Sequence, residues 1–332
     1  MKKYSTIVEQ SQPLDLPAYF VTLDDKGRNG RRRPWRAYKV ANELLSEAYM
    51  SVDISKAERL KLCGKTLTFI VDSEGKKRLQ YADSCRVRLC PLCSWRRSLK
   101  NFWNTMHILR FWERTGSDYA FIFLTLTVKN CKGTELSGTL DELFAAFQRF
   151  TQRVQVKKTF LGMVRNVEVT HNVDTKSASY DTFHPHIHCL VAVRPSYFKS
   201  RDYLSQATLA ELWKQSLRVD YNPVIDVRRV KGSDARAVAE CSKYAAKAAD
   251  YIIPDDWELT VETVGILDVA LGRRRLIAYT GAFREAFSAL RLDDAEDGDL
   301  TVTGSDDDPE LGEGQHLETY YWYSGYRQYC KV

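Results

Sequence analysis

No stretch of this 332-residue chain approaches the roughly 18 consecutive apolar residues of a membrane-crossing helix. The first 14 residues lack the apolar core of a secretory signal. A cytoplasmic protein without a membrane partner is the expectation. The eight cysteines lack the even spread and export context of a disulfide framework, and their clustering points to free thiols or a metal. Residues 292–318 contain no Lys or Arg but eleven acidic residues, which leaves the rest of a chain of net charge +6 at +17. A surface that basic suits a polyanion such as nucleic acid, although a solvated face on an ordinary enzyme has the same composition. The length allows one large or two modest domains with an ample core.

Three of the six histidines fall in Phe183-His184-Pro185-His186-Ile187-His188-Cys189-Leu190-Val191-Ala192-Val193. The β-branched, apolar tail of this stretch reads as a buried strand. Alternation puts His186 and His188 on one face and Ile187 and Cys189 on the other. Two imidazoles so placed can hold one metal ion. His184 shares their parity, nearer the preceding loop. A lone histidine would more often be a core residue with satisfied hydrogen bonds.

A second cluster is Cys63-Gly64 followed by Cys85-Arg86-Val87-Arg88-Leu89-Cys90-Pro91-Leu92-Cys93-Ser94-Trp95-Arg96-Arg97. Cys90 and Cys93 have the spacing that puts two thiolates on one tetrahedral ion, and Cys85 and Cys63 complete four. Structural Zn²⁺ is the expectation. A redox Cys-x-x-Cys is the rival, but no thioredoxin-like unit surrounds it.

The chain opens with a basic arm, residues 1–34, and an amphipathic helix over 35–50. After a helix over 98–112 the pattern predicts a strand at 119–128, a helix at 139–155 and a strand at 163–171. A polar loop leads to the histidine strand; then come a helix at 204–217, a strand at 224–230 and one long helix over 233–253, stopped before Pro254. The order β-α-β-β-α-β predicts an α+β, ferredoxin-like fold: an antiparallel sheet with helices against one face, preceded by a Cys-rich zinc-binding element.

Pairing the two middle strands brings Glu168 onto the face of His186 and His188. One carboxylate and two imidazoles leave positions open for phosphate and water, which suits catalytic Mg²⁺ or Mn²⁺. On the long helix, Glu240, Tyr244 and Lys247 would share a face. A tyrosine beside a metal-bound phosphate can act as nucleophile, Lys247 can hold the phosphate, and Glu240 can activate water for a hydrolytic step. Alone, this pattern is common on surface helices. Tyr251, seven residues on, reads as packing.

Together these segments resemble the HUH endonuclease superfamily, and within it the rolling-circle replication initiators (Rep proteins) of small bacterial plasmids, of the single-tyrosine type with a catalytic Glu. The resemblance rests on Phe123-Leu124-Thr125-Leu126-Thr127, His184-Pro185-His186-Ile187-His188, residues 240–247, the cysteine-rich run, Gly272-Arg273-Arg274-Arg275-Leu276-Ile277 through Gly281-Ala282-Phe283, and residues 292–300. It implies origin-specific nicking and joining of plasmid DNA. Tyr244 would stay on the 5′ end, the freed 3′-OH would prime synthesis, and Glu240 would direct water at termination. The implied partners are the double-strand origin, single-stranded DNA, and a host helicase and DNA polymerase. The expected divisions are 35–115 helical and Cys-rich, 116–255 the HUH core, 256–291 the rest of the Rep domain, 292–318 an acidic linker and 319–332 an aromatic tail. A related HUH transposase and a non-catalytic, zinc-containing DNA-binding protein are the alternatives.

Overall fold

The computed structural model describes residues 16–27, 30–230, 235–243, 245–304 and 314–332. In chain order the elements are α1 (Trp35–Tyr49), α2 (Ile54–Leu62), β1 (Thr66–Val71), β2 (Lys77–Ala82), α3 (Pro91–Thr115), β3 (Ala120–Thr127), α4 (Leu136–Thr151), α5 (Val154–Thr159), β4 (Gly162–Asn172) and β5 (Thr182–Val193). There follow α6 (Gln206–Leu217), β6 (Ile225–Val230), α7 (Ala235–Glu240), α8 (Ala248–Tyr251), α9 (Trp257–Leu271), β7 (Ile277–Gly281), α10 (Ala282–Ala289), β8 (His316–Tyr323) and β9 (Gln328–Lys331). The α+β class read from the sequence is borne out, with every strand pairing antiparallel.

Two compact units divide the chain: Met1–Arg97 with Lys247–Asp268 and Asp299–Val332, and Ser98–Ala246 with Val269–Gly298. The first is built on a four-stranded sheet of order β2-β1-β8-β9. Strand alternation buries Leu67, Phe69 and Val71 of β1, and Phe69 meets Trp35 and Tyr320 edge to face. The apolar stripe of α1 supplies Val40, Ala41, Leu45 and Tyr49 to this core. Asp53 caps α2 by accepting from the Lys56 amide at 3.1 Å. The aromatic end of the chain forms β8 and β9, burying Tyr320, Trp322 and Tyr329. Tyr251 is buried in this unit and its hydroxyl donates to Leu89 O, so it is a packing residue.

The second unit holds a five-stranded sheet of order β6-β3-β5-β4-β7. One face buries Phe121, Phe123, Val164, Leu190 and Ala192 against Leu109 and Trp112 of α3, Val238 of α7 and Phe283 of α10. Arg165, on the other face, lies over Phe144 and Phe147 of α4, which packs beside α6 through Phe150 and Trp213. Helices therefore cover both faces, not one, and β7 adds a fifth strand.

The long helix expected over 233–253 is broken. Residues 235–240 and 248–251 are helical, while described residues between them are not. The cause is competition for carbonyls. Those of residues 241, 242, 243 and 245 accept from Asn101, Ser98, Asn166 and the Val169 amide instead of from residues four further along.

Candidate metal centres

Strand register builds the first cluster. On the adjacent strands β4 and β5, Glu168 stands opposite His186 and Asn166 opposite His188, while on β3 Thr125 stands opposite His188 and Thr127 opposite His186. Directly opposed residues share a face, so these side chains gather at one end of the sheet. His186 Nε2 and His188 Nε2 lie 3.2 and 3.1 Å from the same oxygen, Glu168 Oε2. Glu168 is 2% exposed, and both histidines are nearly buried.

Neighbouring groups fix the rings. His186 Nδ1 lies 3.1 Å from the carbonyl of His184. A carbonyl only accepts, so Nδ1 is the donor in that bond and Nε2 is the ring atom turned to Glu168. His188 Nδ1 is 3.1 Å from Thr125 Oγ1, which likewise turns Nε2 towards Glu168. Burial, chiefly, holds the His188 imidazole below its usual pKa, and Glu168 opposes it only in part. Burial and then His186 do the same to His184. Two imidazoles and a buried carboxylate form a donor set that suits a divalent cation, and this group could hold one.

The second cluster lies in the first unit. Cys63 Sγ is 3.6 Å from both Cys90 Sγ and Cys93 Sγ, and Cys85 Sγ is 3.8 Å from Cys93 Sγ. All four cysteines are buried and none forms a disulfide. The α3 helix begins at Pro91, which places Cys93 in its first turn. Gly64 makes the tight exit from Cys63 at φ +62°, where an added Cβ would sit 2.6 Å from Leu92 Cδ1. Buried Lys39 donates to the carbonyls of Cys63 (2.7 Å) and Lys61 (3.0 Å). This cluster too could hold a metal ion.

Tyr244 lies outside the described residues. Glu240 is the last residue of α7 and pairs with Lys243, while Lys247 is the extended N-cap of α8, its amide donating to Asp250. Glu240 and Lys247 therefore do not share a helical face. Residues not singled out from sequence are Asn166, Thr125 and Lys243. Asn166 and Thr125 have the parity of Glu168 and His188, so polar residues alternating with Val or Leu were the available signal.

A family model described as "Replication protein" matches residues 76–330. The chain belongs to the Rep family of replication proteins. The resemblance to plasmid Rep initiators read from the motifs is thus borne out. Among its relatives, a "Protein rep" of Bacillus amyloliquefaciens is 38% identical, over 92% of this chain and 96% of its own length. One from Streptococcus pneumoniae serotype 2 is 38% identical over 89% of this chain and 91% of its own length. A third, from Bacillus sp, is 41% identical over 74% of this chain and 84% of its own length. No solved structure matches the chain.

Proposed function

We propose that this chain is a rolling-circle plasmid replication initiator that nicks and rejoins origin DNA through Tyr244. One observation carries the reading. Glu168, His186 and His188 converge on one strand pair, and the main chain on either side of Tyr244 is hydrogen-bonded to the strand that carries Glu168. The strand order β6-β3-β5-β4, with β-α-β-β-α-β connectivity, supports a ferredoxin-like HUH core extended by β7.

Glu168, His186 and His188 would hold Mg²⁺ or Mn²⁺. Their separations of 3.1 and 3.2 Å match the edge of roughly 3 Å between neighbouring ligands of an octahedral ion with bonds of about 2.1 Å. The bound ion would withdraw charge from a phosphate oxygen. In the chemical step the Tyr244 oxygen attacks the scissile phosphorus and the bond from phosphorus to the 3′ oxygen breaks. The tyrosyl proton leaves to solvent, the departing oxygen takes one up as a free 3′-OH, and the 5′ phosphate remains on Tyr244. In termination Glu240 accepts a proton from water as the water oxygen attacks the phosphorus, the bond from phosphorus to the Tyr244 oxygen breaks, and that oxygen takes up a proton from solvent. Lys247 steadies phosphate charge.

The four thiolates would hold structural Zn²⁺, because sulfur separations of 3.6–3.8 Å match the edge of about 3.8 Å of a tetrahedron with bonds of about 2.3 Å. The substrates are the plasmid's double-strand origin and its single strand, with host helicase and polymerase extending the primer in the cytoplasm. The test is nicking of the supercoiled plasmid that encodes the chain. Wild type should give open circles and DNA-linked protein with Mn²⁺ or Mg²⁺ and neither with chelator, and Tyr244→Phe should give none. Equal nicking by the variant would overturn the reading.

A further inference from the structure

The described residues between Cys241 and Ala245 are not helical, and the carbonyls of 241, 242, 243 and 245 are held one by one. Asn101 Nδ2 donates to Cys241 O at 3.0 Å, and Tyr279 in turn donates to Asn101 Oδ1 at 2.5 Å. The Ser98 hydroxyl donates to Ser242 O. Asn166 Nδ2 donates to Lys243 O at 2.8 Å, and the Val169 amide to Ala245 O at 2.7 Å. The last two bonds bracket both functional positions at once. Residues 243 and 245 flank Tyr244, and their partners, 166 and 169, flank Glu168 on β4.

Strand geometry explains how β4 can do this. It pairs with β7 only through Asn166, so further along that edge its amides are open to other acceptors. Val167 N–H goes to Leu276 O and Val169 N–H to Ala245 O. Asn166 is 1% exposed and stands directly opposite His188. A side-chain amide buried there, two residues from a metal ligand, has a donor to place, and it places it on the main chain next to Tyr244.

We propose that Asn166 is a positioning residue for the nicking reaction: its amide sets Tyr244 in register with the metal held by Glu168, His186 and His188. This rests on the assignment of Tyr244 as nucleophile. In this role Asn166 acts through the carbonyl of Lys243. A nucleophile displaced by about 1 Å costs on the order of 100-fold in rate.

The experiment compares full-length wild type, Asn166→Ala, Asn166→Asp and Tyr244→Phe, with protein in excess over supercoiled plasmid carrying the coding region and its flanks. Initial nicking rate, plasmid Kd, Mn²⁺ affinity and melting temperature are read for each. Asn166→Ala should lose about 100-fold in rate while plasmid Kd and Mn²⁺ affinity stay within about twofold. Asn166→Asp keeps the shape but presents a carboxylate that cannot donate. It should lose at least as much rate without losing Mn²⁺, and it decides the matter if the alanine variant does not fold. Either folded variant nicking within threefold of wild type overturns the proposal, as does Mn²⁺ affinity falling in step with rate. Tyr244→Phe separates the two claims. If it is inactive and the Asn166 variants are normal, only the positioning role fails; if it nicks like wild type, the nucleophile fails and the positioning role with it.

Discussion

At Glu168 a single carboxylate oxygen meets the Nε2 atoms of two imidazoles, one of which donates through Nδ1 to the His184 carbonyl. A buried carboxylate is costly unless hydrogen bonds or a cation offset its charge. The groups behind these side chains then matter nearly as much as the ligands. His186→Ala should weaken Mn²⁺ binding by on the order of 100-fold, and Thr125→Val, which touches only His188 Nδ1, by about tenfold. Calorimetric titration of the metal-free chain with Mn²⁺ measures both. A Thr125→Val variant that binds like wild type would mean that the hydroxyl does not orient the ring. These residues were legible to different depths. His-x-His and Glu168 follow from strand parity alone, and the cysteines from their spacing. Asn166 and Lys243 owe their placement to a main-chain segment whose path the sequence does not display.

Among the elements, β3, β4 and β5 could be read because local alternation specifies a half-buried strand. The interval 241–247 could not. Its Ala, Cys and Tyr spacing satisfies a helical pattern, yet partners distant in sequence take the carbonyls of residues 241 and 243. The sheet of the first unit was equally hidden, since β1 pairs with β8 some 250 residues away and no local pattern encodes that. Glu318 on β8 ties this sheet together, bonding Lys77 of β2 at 2.9 Å and Lys331 of β9 at 2.7 Å. Burial alone would raise its carboxyl, but the bonds from Lys331 and Tyr320 and the Lys77 charge outweigh it and pull the pKa down to about 2. A lowered carboxyl contributes stability that is present above its unfolded value and lost as pH falls through the folded one. Between about pH 4.5 and pH 2 the wild type should therefore lose about 1 kcal/mol that Glu318→Gln, weaker at neutral pH, does not lose. Urea melts of both across that range check this, and parallel curves would contradict it. The cysteine cluster gives a larger effect. Stripping the metal that this cluster could hold with a strong chelator, or replacing Cys93 by Ser, should unfold the region around α2 and the start of α3, seen as lost amide-exchange protection there. Unchanged protection would mean that the thiols pack without metal.

Across the whole molecule, charge is unevenly spread, and part of the acidic run neutralises basic residues within the second unit. Asp293 pairs with Lys100 and Asp294 with Arg275, while Glu296 accepts from the amides of Leu276 and Ile277 at 3.0 and 3.1 Å. Composition alone showed that 292–318 was acidic; it did not show that its first residues cap the start of β7. Residues 305–313 lie outside the described residues. With those pairs formed, much basic charge is left to meet DNA phosphates. The proposed chemistry leaves DNA covalently attached to one residue. The deciding measurement is mass-spectrometric mapping of the covalent adduct formed with Mn²⁺ on the supercoiled plasmid, after nuclease trimming and proteolysis. A 5′-phosphonucleotide on Tyr244 is the predicted result. An adduct on any other residue, or efficient nicking with no adduct, would contradict the mechanism.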